Sequence, residues 1–147
     1  MRNMKFRAKR CDNGEWAYGS AVIFCDDYCF IDKDDELYIQ RPYTFRGNTH
    51  FIELSAIKCE TSSVCQFTGL HDKNSKEIYE GDIIGCHNPD IKHLIFYNEK
   101  QGRFMAALNG DIENDFVGVC GLDDSRWNAS KEVIGNVYDN PELLKGG

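Results

Sequence analysis

No apolar run in this 147-residue chain approaches the ~20 residues that a membrane-spanning helix needs, so no membrane partner is expected. Nor does any long window repeat its apolar residues at the spacing of about 3.6 that marks an amphipathic helix, which excludes a helical bundle. Basic charge is not in surplus: 17 Lys and Arg stand against 24 Asp and Glu, for a net charge of -7. Phosphate backbones are bound through basic faces, so the acidic excess disfavours nucleic acid as a partner unless charge segregates by face. The start, Met1-Arg2-Asn3-Met4-Lys5-Phe6, is charged but no apolar h-region follows, so a secretory leader is not expected. Repeats and low-complexity tracts are also missing.

The motifs of common chemistries are missing too. There is no Gly-x-Ser-x-Gly elbow to single out a serine. No Gly-rich loop leads into a helix with Lys and Ser/Thr, so nothing cradles a phosphate. The seven cysteines are Cys11, Cys25, Cys29, Cys59, Cys65, Cys86 and Cys120, an odd number that reads as reduced, mostly buried thiols of a cytosolic chain. Cys86-His87, His93 and the Cys25-x-x-x-Cys29 pair could offer ligands, but they lack the close pairing of a zinc site. The acidic stretches Asp32 to Glu36 and Asn109 to Asp115 lack the Gly and Glu positions of a calcium loop. Neither metal nor cofactor is therefore expected. A cysteine with His71 or His87 could form a dyad only if the fold paired them. Glu77, Glu80 and Asp82 beside Tyr79 could serve as an acid/base pair. Asp82, however, follows Gly81 at a corner where its carboxylate can accept local backbone N–H bonds.

What the chain does have is apolar and aromatic content, 41% and 12%, spread along its length, enough for a folded core. Short β-rich runs alternate with turn residues. Strands are expected at Lys5 to Ala8 and Trp16 to Phe24. A hairpin of Cys29-Phe30-Ile31 and Glu36 to Ile39 is expected around Asp32-Lys33-Asp34-Asp35, then a loop from Arg41 to Asn48 punctuated by Pro42 and Gly47. Further strands are expected at Thr49 to Ile57, Val64 to Phe67, Ile83 to Cys86, Phe116 to Cys120 and Glu132 to Tyr138. Leu94 to Tyr97 and Arg103 to Leu108 read as an antiparallel pair about Asn98 to Gly102. Asn140-Pro141-Glu142-Leu143-Leu144 has an N-cap residue and then Pro at the first helical position, which predicts one terminal helical turn. The fold class is mainly β: short antiparallel strands in a small barrel or bent sheet with few short peripheral helices, α+β being second choice. Two β-rich lobes are expected, residues 1–60 and 61–147, the latter barrel-like, with one continuous domain as the alternative.

One stretch stands out, Gln66-Phe67-Thr68-Gly69-Leu70-His71-Asp72-Lys73-Asn74-Ser75-Lys76-Glu77-Ile78-Tyr79-Glu80-Gly81-Asp82-Ile83-Ile84. Phe67, Leu70, Ile78 and Ile83 would anchor it in the core, Asp72 to Lys76 would turn the chain, and Gly81-Asp82 would launch a strand. Together with Met4 to Ala8, Trp16-Ala17-Tyr18-Gly19 and Glu132 to Leu144, it resembles the YopX-like family of phages and prophages, in order along nearly the whole chain. Ser75 stands where that family's turn commonly has Gly, and His71 where Lys is common; Ser75 implies either a turn without positive φ or a slightly strained one. The resemblance implies phage or prophage origin and cytoplasmic residence in the bacterial host cell, and it supplies no catalytic residues.

The candidate contact surface comes from aromatics in or near turns. Trp16, Tyr43, Phe45 and Trp127, with Arg41 and Arg46, have the residue types enriched at interface hot spots. Lys73, Tyr79 and Glu80 add the charged part of the signature. The expected function is a non-enzymatic protein-interaction or self-associating module, with a homo-oligomer foremost and a host or phage protein as the other partner class. A nucleic-acid-associated accessory protein is the alternative, which a basic stripe joining Lys5, Arg7, Lys9, Arg10, Arg41 and Arg46 would favour. A cryptic hydrolase is the third reading, to be sought in a pocket gathering Glu77, Glu80 or a Cys–His pair.

Overall fold

The computed structural model describes residues 4–20, 22–25, 28–32, 38–114, 116–118 and 131–145. Trp127, Cys120 and residues 33–37 of the acidic stretch lie outside them. The chain divides into two compact units, Asn3–Gln66 and Phe67–Gly147 with Met1–Arg2. Among the described residues every strand pairing is antiparallel, the helical segments are short 3-10 turns, and the class is mainly β as expected. The strand orders are open at their ends, an arrangement that a bent sheet or small barrel accommodates.

In the N-terminal unit β1 (Phe6–Lys9) pairs with β2 (Trp16–Gly19) across the turn at Gly14, whose φ of 72° suits glycine. β3 (Val22–Cys25), β4 (Tyr28–Asp32), β5 (Tyr38–Phe45) and β6 (Asn48–Glu60) form a second sheet in the order β3-β4-β6-β5. The single strand expected from Trp16 to Phe24 is thus two, β2 on β1 and β3 on β4. The turn of the expected hairpin between Cys29 to Ile31 and Glu36 to Ile39 lies outside the described residues, but its described parts do not pair with each other: both pair with β6, β4 with Ala56 to Glu60 and β5 with Asn48 to Ser55. The loop expected from Arg41 to Asn48 is also mostly strand: Arg41 to Phe45 continue β5, and the turn is only Arg46-Gly47. Arg46 (φ 51°) and Gly47 (φ 77°) are both left-handed, as a two-residue type I′ turn requires. Pro42 fits because, among the described residues, β5 is the last strand of its sheet, a position that tolerates a missing N–H. The core of this unit is Ala8, Ala17, Cys29, Ile31, Ile57 and Cys59, with Val22 and Val64 against it. A 3-10 turn at Thr61–Ser63 ends β6, and Ser63 Oγ accepts the Lys9 N–H at 2.7 Å, fixing that turn to β1.

β7 (Cys65–His71) pairs through Cys65 and Gln66 with β1, and through Phe67 and His71 with β8 (Glu77–Tyr79). The C-terminal unit carries a five-stranded sheet in the order β12-β11-β10-β9-β13, built from β9 (Asp82–Gly85), β10 (Lys92–Asn98), β11 (Arg103–Leu108), β12 (Phe116–Gly118) and β13 (Glu132–Asn136). β10 and β11 form the expected antiparallel pair in unbroken register from His93↔Leu108 to Asn98↔Arg103. Ile78, Ile84, Ile95, Phe104 and Ala106 make the core, with Leu70 and Val133 packed against it. The signature anchors behave as read: Phe67, Ile78 and Ile83 are buried and Leu70 is half-buried. Gly81, at φ 85°, donates to Ile95 O and accepts from Val137 N, both at 2.8 Å, so the Gly-Asp corner ties β10 to the end of β13. The terminal turn Pro141–Leu144 forms with Pro at its start, but Asn140 does not cap it. Its side-chain oxygen accepts from Asn136 N instead, at 3.3 Å.

Candidate functional site

The residues singled out from the sequence fall into two groups, one in each unit. In the N-terminal unit Trp16 opens β2 opposite Lys9 and is half-buried. Strand alternation places Arg7 and Lys9 on the same side of β1, and both cations lie over the indole, at 4.4 and 4.7 Å from its centroid. Such stacks contribute about 0.5–1 kcal/mol each where water reaches them. Trp16 is therefore held in place by its own unit. Tyr18, opposite Arg7, is 48% exposed and extends this aromatic–basic row; only pairing to β1 reveals it.

Arg41, Tyr43 and Phe45 alternate along β5 and so occupy one face of the strand, in register with Ile52, His50 and Asn48. Ile39 and Leu54 lie at the next pair of positions on that face. Arg46 is exposed at the turn beyond. What the sequence presents as an aromatic loop is thus the end of a β-ribbon. Among the described residues the ribbon has two strands over Tyr38 to Ser55, since β4 meets β6 from Ala56 onward. The sequence signal is the alternation Ile39, Arg41, Tyr43, Phe45, disguised by Pro42 and Gly47.

In the C-terminal unit the signature turn is built around Asp72, 6% exposed. Its Oδ1 accepts the N–H groups of Asn74 and Lys76 at 2.8 and 2.9 Å, and its Oδ2 that of Val133 at 3.0 Å. Lys73 N–H donates to Lys131 O at 3.0 Å, and its ammonium sits 3.4 Å from Glu132. That ion pair is largely exposed and adds little. Tyr79, expected at a contact surface, is only 2% exposed and packs on Phe67 with ring centroids 5.5 Å apart. It is a core residue because β8 buries both Ile78 and Tyr79. Glu80 is half-buried. The Asp82 carboxylate accepts Tyr79 N–H at 2.8 Å and is 1% exposed, so it closes the corner instead of facing solvent beside Glu77 and Glu80.

The thiols are placed for packing. Cys29 and Cys59 are opposite one another on β4 and β6, both buried. Burial raises the Cys29 thiol above its ordinary pKa, and burial with the neighbouring Cys29 pushes Cys59 up to about 12, away from a reactive thiolate. Cys65 donates to Ser63 O at 3.2 Å. Among the described residues no group of three His, Cys, Asp or Glu side chains is gathered as a metal would require. No helix of the described residues is long and apolar enough to cross a membrane. In the basic stripe, Arg10 forms a two-pronged contact with Asp12 at 2.9 and 2.7 Å, and Arg7 is buried.

A family model described as "YopX protein" matches residues 5–145. Protein EF1440 from Enterococcus faecalis has a similar crystal structure, at 26% sequence identity and a TM-score of 0.56, covering 97% of this chain and 98% of that one. No curated protein matches the chain.

Proposed function

The chain belongs to the YopX family, and on that premise we propose that it is a phage- or prophage-encoded protein acting in the bacterial cytoplasm through protein contacts, without chemistry of its own. The observation that carries this reading is the two-stranded β5–β6 ribbon. An isolated two-stranded ribbon is marginal in water and gains stability when further strands or a packed face are added. This one puts Ile39, Arg41, Tyr43 and Phe45 at alternating positions of a single face, a residue set suited to a partner surface. The buried, reduced thiols Cys29 and Cys59 suit a reducing compartment.

Affinity capture from lysogenic cells tests the proposal. The full chain is compared with a variant carrying Arg41→Glu, Tyr43→Thr and Phe45→Thr, which keeps β-compatible residues in the strand. The full chain should retain a defined protein, another copy included, and the variant should lose it with unchanged circular dichroism. Equal retention by both removes the ribbon as the contact element. The nucleic-acid reading draws only on the Trp16, Arg7 and Lys9 stack. A salt-dependent shift of single-stranded DNA or RNA, lost in Trp16→Ala, would favour it over the protein-contact reading.

A further inference from the structure

We infer that Asn13 is a site of spontaneous modification, where water exchanges the side-chain carboxamide for a carboxylate, and that the fold protects the same dipeptide at Asn109. Asn-Gly occurs twice, at Asn13-Gly14 and Asn109-Gly110. In such a pair the glycine backbone nitrogen can attack the asparagine Cγ, because glycine has no side chain to hinder the approach. The N–Cγ bond forms, the Cγ–Nδ2 bond breaks, and ammonia leaves with the proton of the glycine N–H. Water then opens the five-membered imide at either carbonyl, giving aspartate or its β-linked isomer. The net exchange is carboxamide and water for carboxylate and ammonium.

Asn13 and Gly14 are both exposed in the turn between β1 and β2, and no atom lies within 4 Å of where a Gly14 Cβ would stand. Asn13 Oδ1 accepts the Glu15 N–H at 2.9 Å, an Asx turn that folds the carboxamide back over the Gly14 peptide. Its Nδ2 donates to Glu15 Oε2 at 3.3 Å, an exposed contact that water can replace. Asn109 is exposed too, but it is tied to another strand. Its Oδ1 accepts the Lys92 N–H at 3.2 Å, and its own N–H donates to Lys92 O at 2.7 Å. Asn109 (φ 50°) and Gly110 (φ 84°) are the central residues of a type I′ turn, closed by the Asp111 N–H on Leu108 O at 3.0 Å. To reach Gly110 N, the Asn109 carboxamide must first leave Lys92. Each glycine N–H is held by one carbonyl, Gly14 by Arg10 at 3.0 Å and Gly110 by Ala107 at 3.2 Å. That opening step is common to both sites, so the anchor of the carboxamide makes the difference. Breaking one hydrogen bond of ordinary net strength should slow Asn109 about 2- to 12-fold relative to Asn13. The β-linked product adds a backbone atom to the turn that the Arg10 N–H closes on Glu15 O at 2.9 Å, and either product adds a negative charge.

The test is to hold the full chain at pH 8 and 37 °C, in buffer and in concentrated guanidinium chloride. Peptide mass spectrometry then follows the mass gain of replacing NH2 by OH at each asparagine. In buffer Asn13 should react about 2- to 12-fold faster than Asn109. In denaturant the two rates should converge, because both sites are then the same unfolded dipeptide. Asn13→Gln should abolish the gain in its own peptide and leave the rate at Asn109 unchanged. A native Asn109 that reacts as fast as Asn13, or faster, overturns the inference. A rate difference that persists in denaturant overturns it as well, since the neighbouring sequence and not the turn would then set the rates.

Discussion

Replacing Asp72 with Asn should loosen the signature turn from β13 and cost about 2 kcal/mol. The carboxylate accepts three backbone N–H groups, two from its own turn and one from Val133, far away in sequence. An asparagine keeps one acceptor oxygen for Asn74 and Lys76. It presents an NH2 group to the Val133 N–H, which is then left in a half-buried site with no acceptor. Losing a charge-assisted hydrogen bond and stranding its donor costs about 1.5–3 kcal/mol. The N–H groups of Asn74 and Lys76 are near solvent, so water replaces much of what they lose. With a urea slope of ~1–3 kcal/mol/M, the unfolding midpoint should fall by roughly 1 M, and the Val133 amide should exchange faster.

The pH dependence gives an independent check. Burial pushes the Asp72 carboxyl up, but the N–H groups of Val133, Lys76 and Asn74 and the charge of Lys76 outweigh it, leaving the carboxyl below its ordinary value of 3.8. A carboxyl lowered on folding adds stability that is fully present above its unfolded pKa and lost as pH falls through the folded value. The gap between wild type and Asp72→Asn should therefore be widest at neutral pH and narrow below about pH 4. A midpoint within 0.3 M of wild type (roughly 0.6 kcal/mol), or a gap that is the same at pH 3 and pH 7, would refute the assignment of Asp72 as the tie.

Three other expectations follow from particular residues. Ser75 holds φ at 64°, so Ser75→Gly should stabilise the chain by about 0.5–1 kcal/mol in urea unfolding, and a loss of stability would count against a strained turn. Ile84, fully buried in the C-terminal core, should cost about 2–5 kcal/mol when cut to Ala, whereas Lys73→Glu, at an exposed ion pair, should change stability by less than about 1 kcal/mol. Iodoacetamide at pH 8 followed by peptide mass spectrometry should label exposed Cys11 and spare Cys59, whose thiol is held near 12; rapid labelling of native Cys59 would show that it is not sealed in the core.

Local features were legible wherever neighbouring residues supply the physics. The β10–β11 pair is closed by its own short turn, so alternation and the turn residues suffice. The Asp72 to Lys76 turn is equally local, with Asp72 accepting from two residues inside it. The Cys29–Cys59 pairing was not legible, because both arms of the anticipated local hairpin find a better partner in β6. Arg41 to Phe45 were hidden by Pro42, since a proline permitted on an edge strand looks the same as one in a loop. Tyr79 misled in the opposite sense. Its charged neighbours suggested exposure, while Asp82 and the β8 pairing turned it inward.

By itself the sequence determined the β class, the family signature, the apolar anchors Phe67, Ile78 and Ile83, and the sharp corner at Gly81-Asp82. Each of these follows from residue types and their spacing along a short stretch of chain. Only the tertiary structure decided which strands neighbour one another, that Asp72 reaches Val133, that Tyr79 belongs to the core, and that Arg41, Tyr43 and Phe45 share one face of a two-stranded ribbon. Those outcomes depend on hydrogen bonds and burial between residues distant in sequence, where several pairings satisfy the same local pattern and the packing of the whole unit selects among them.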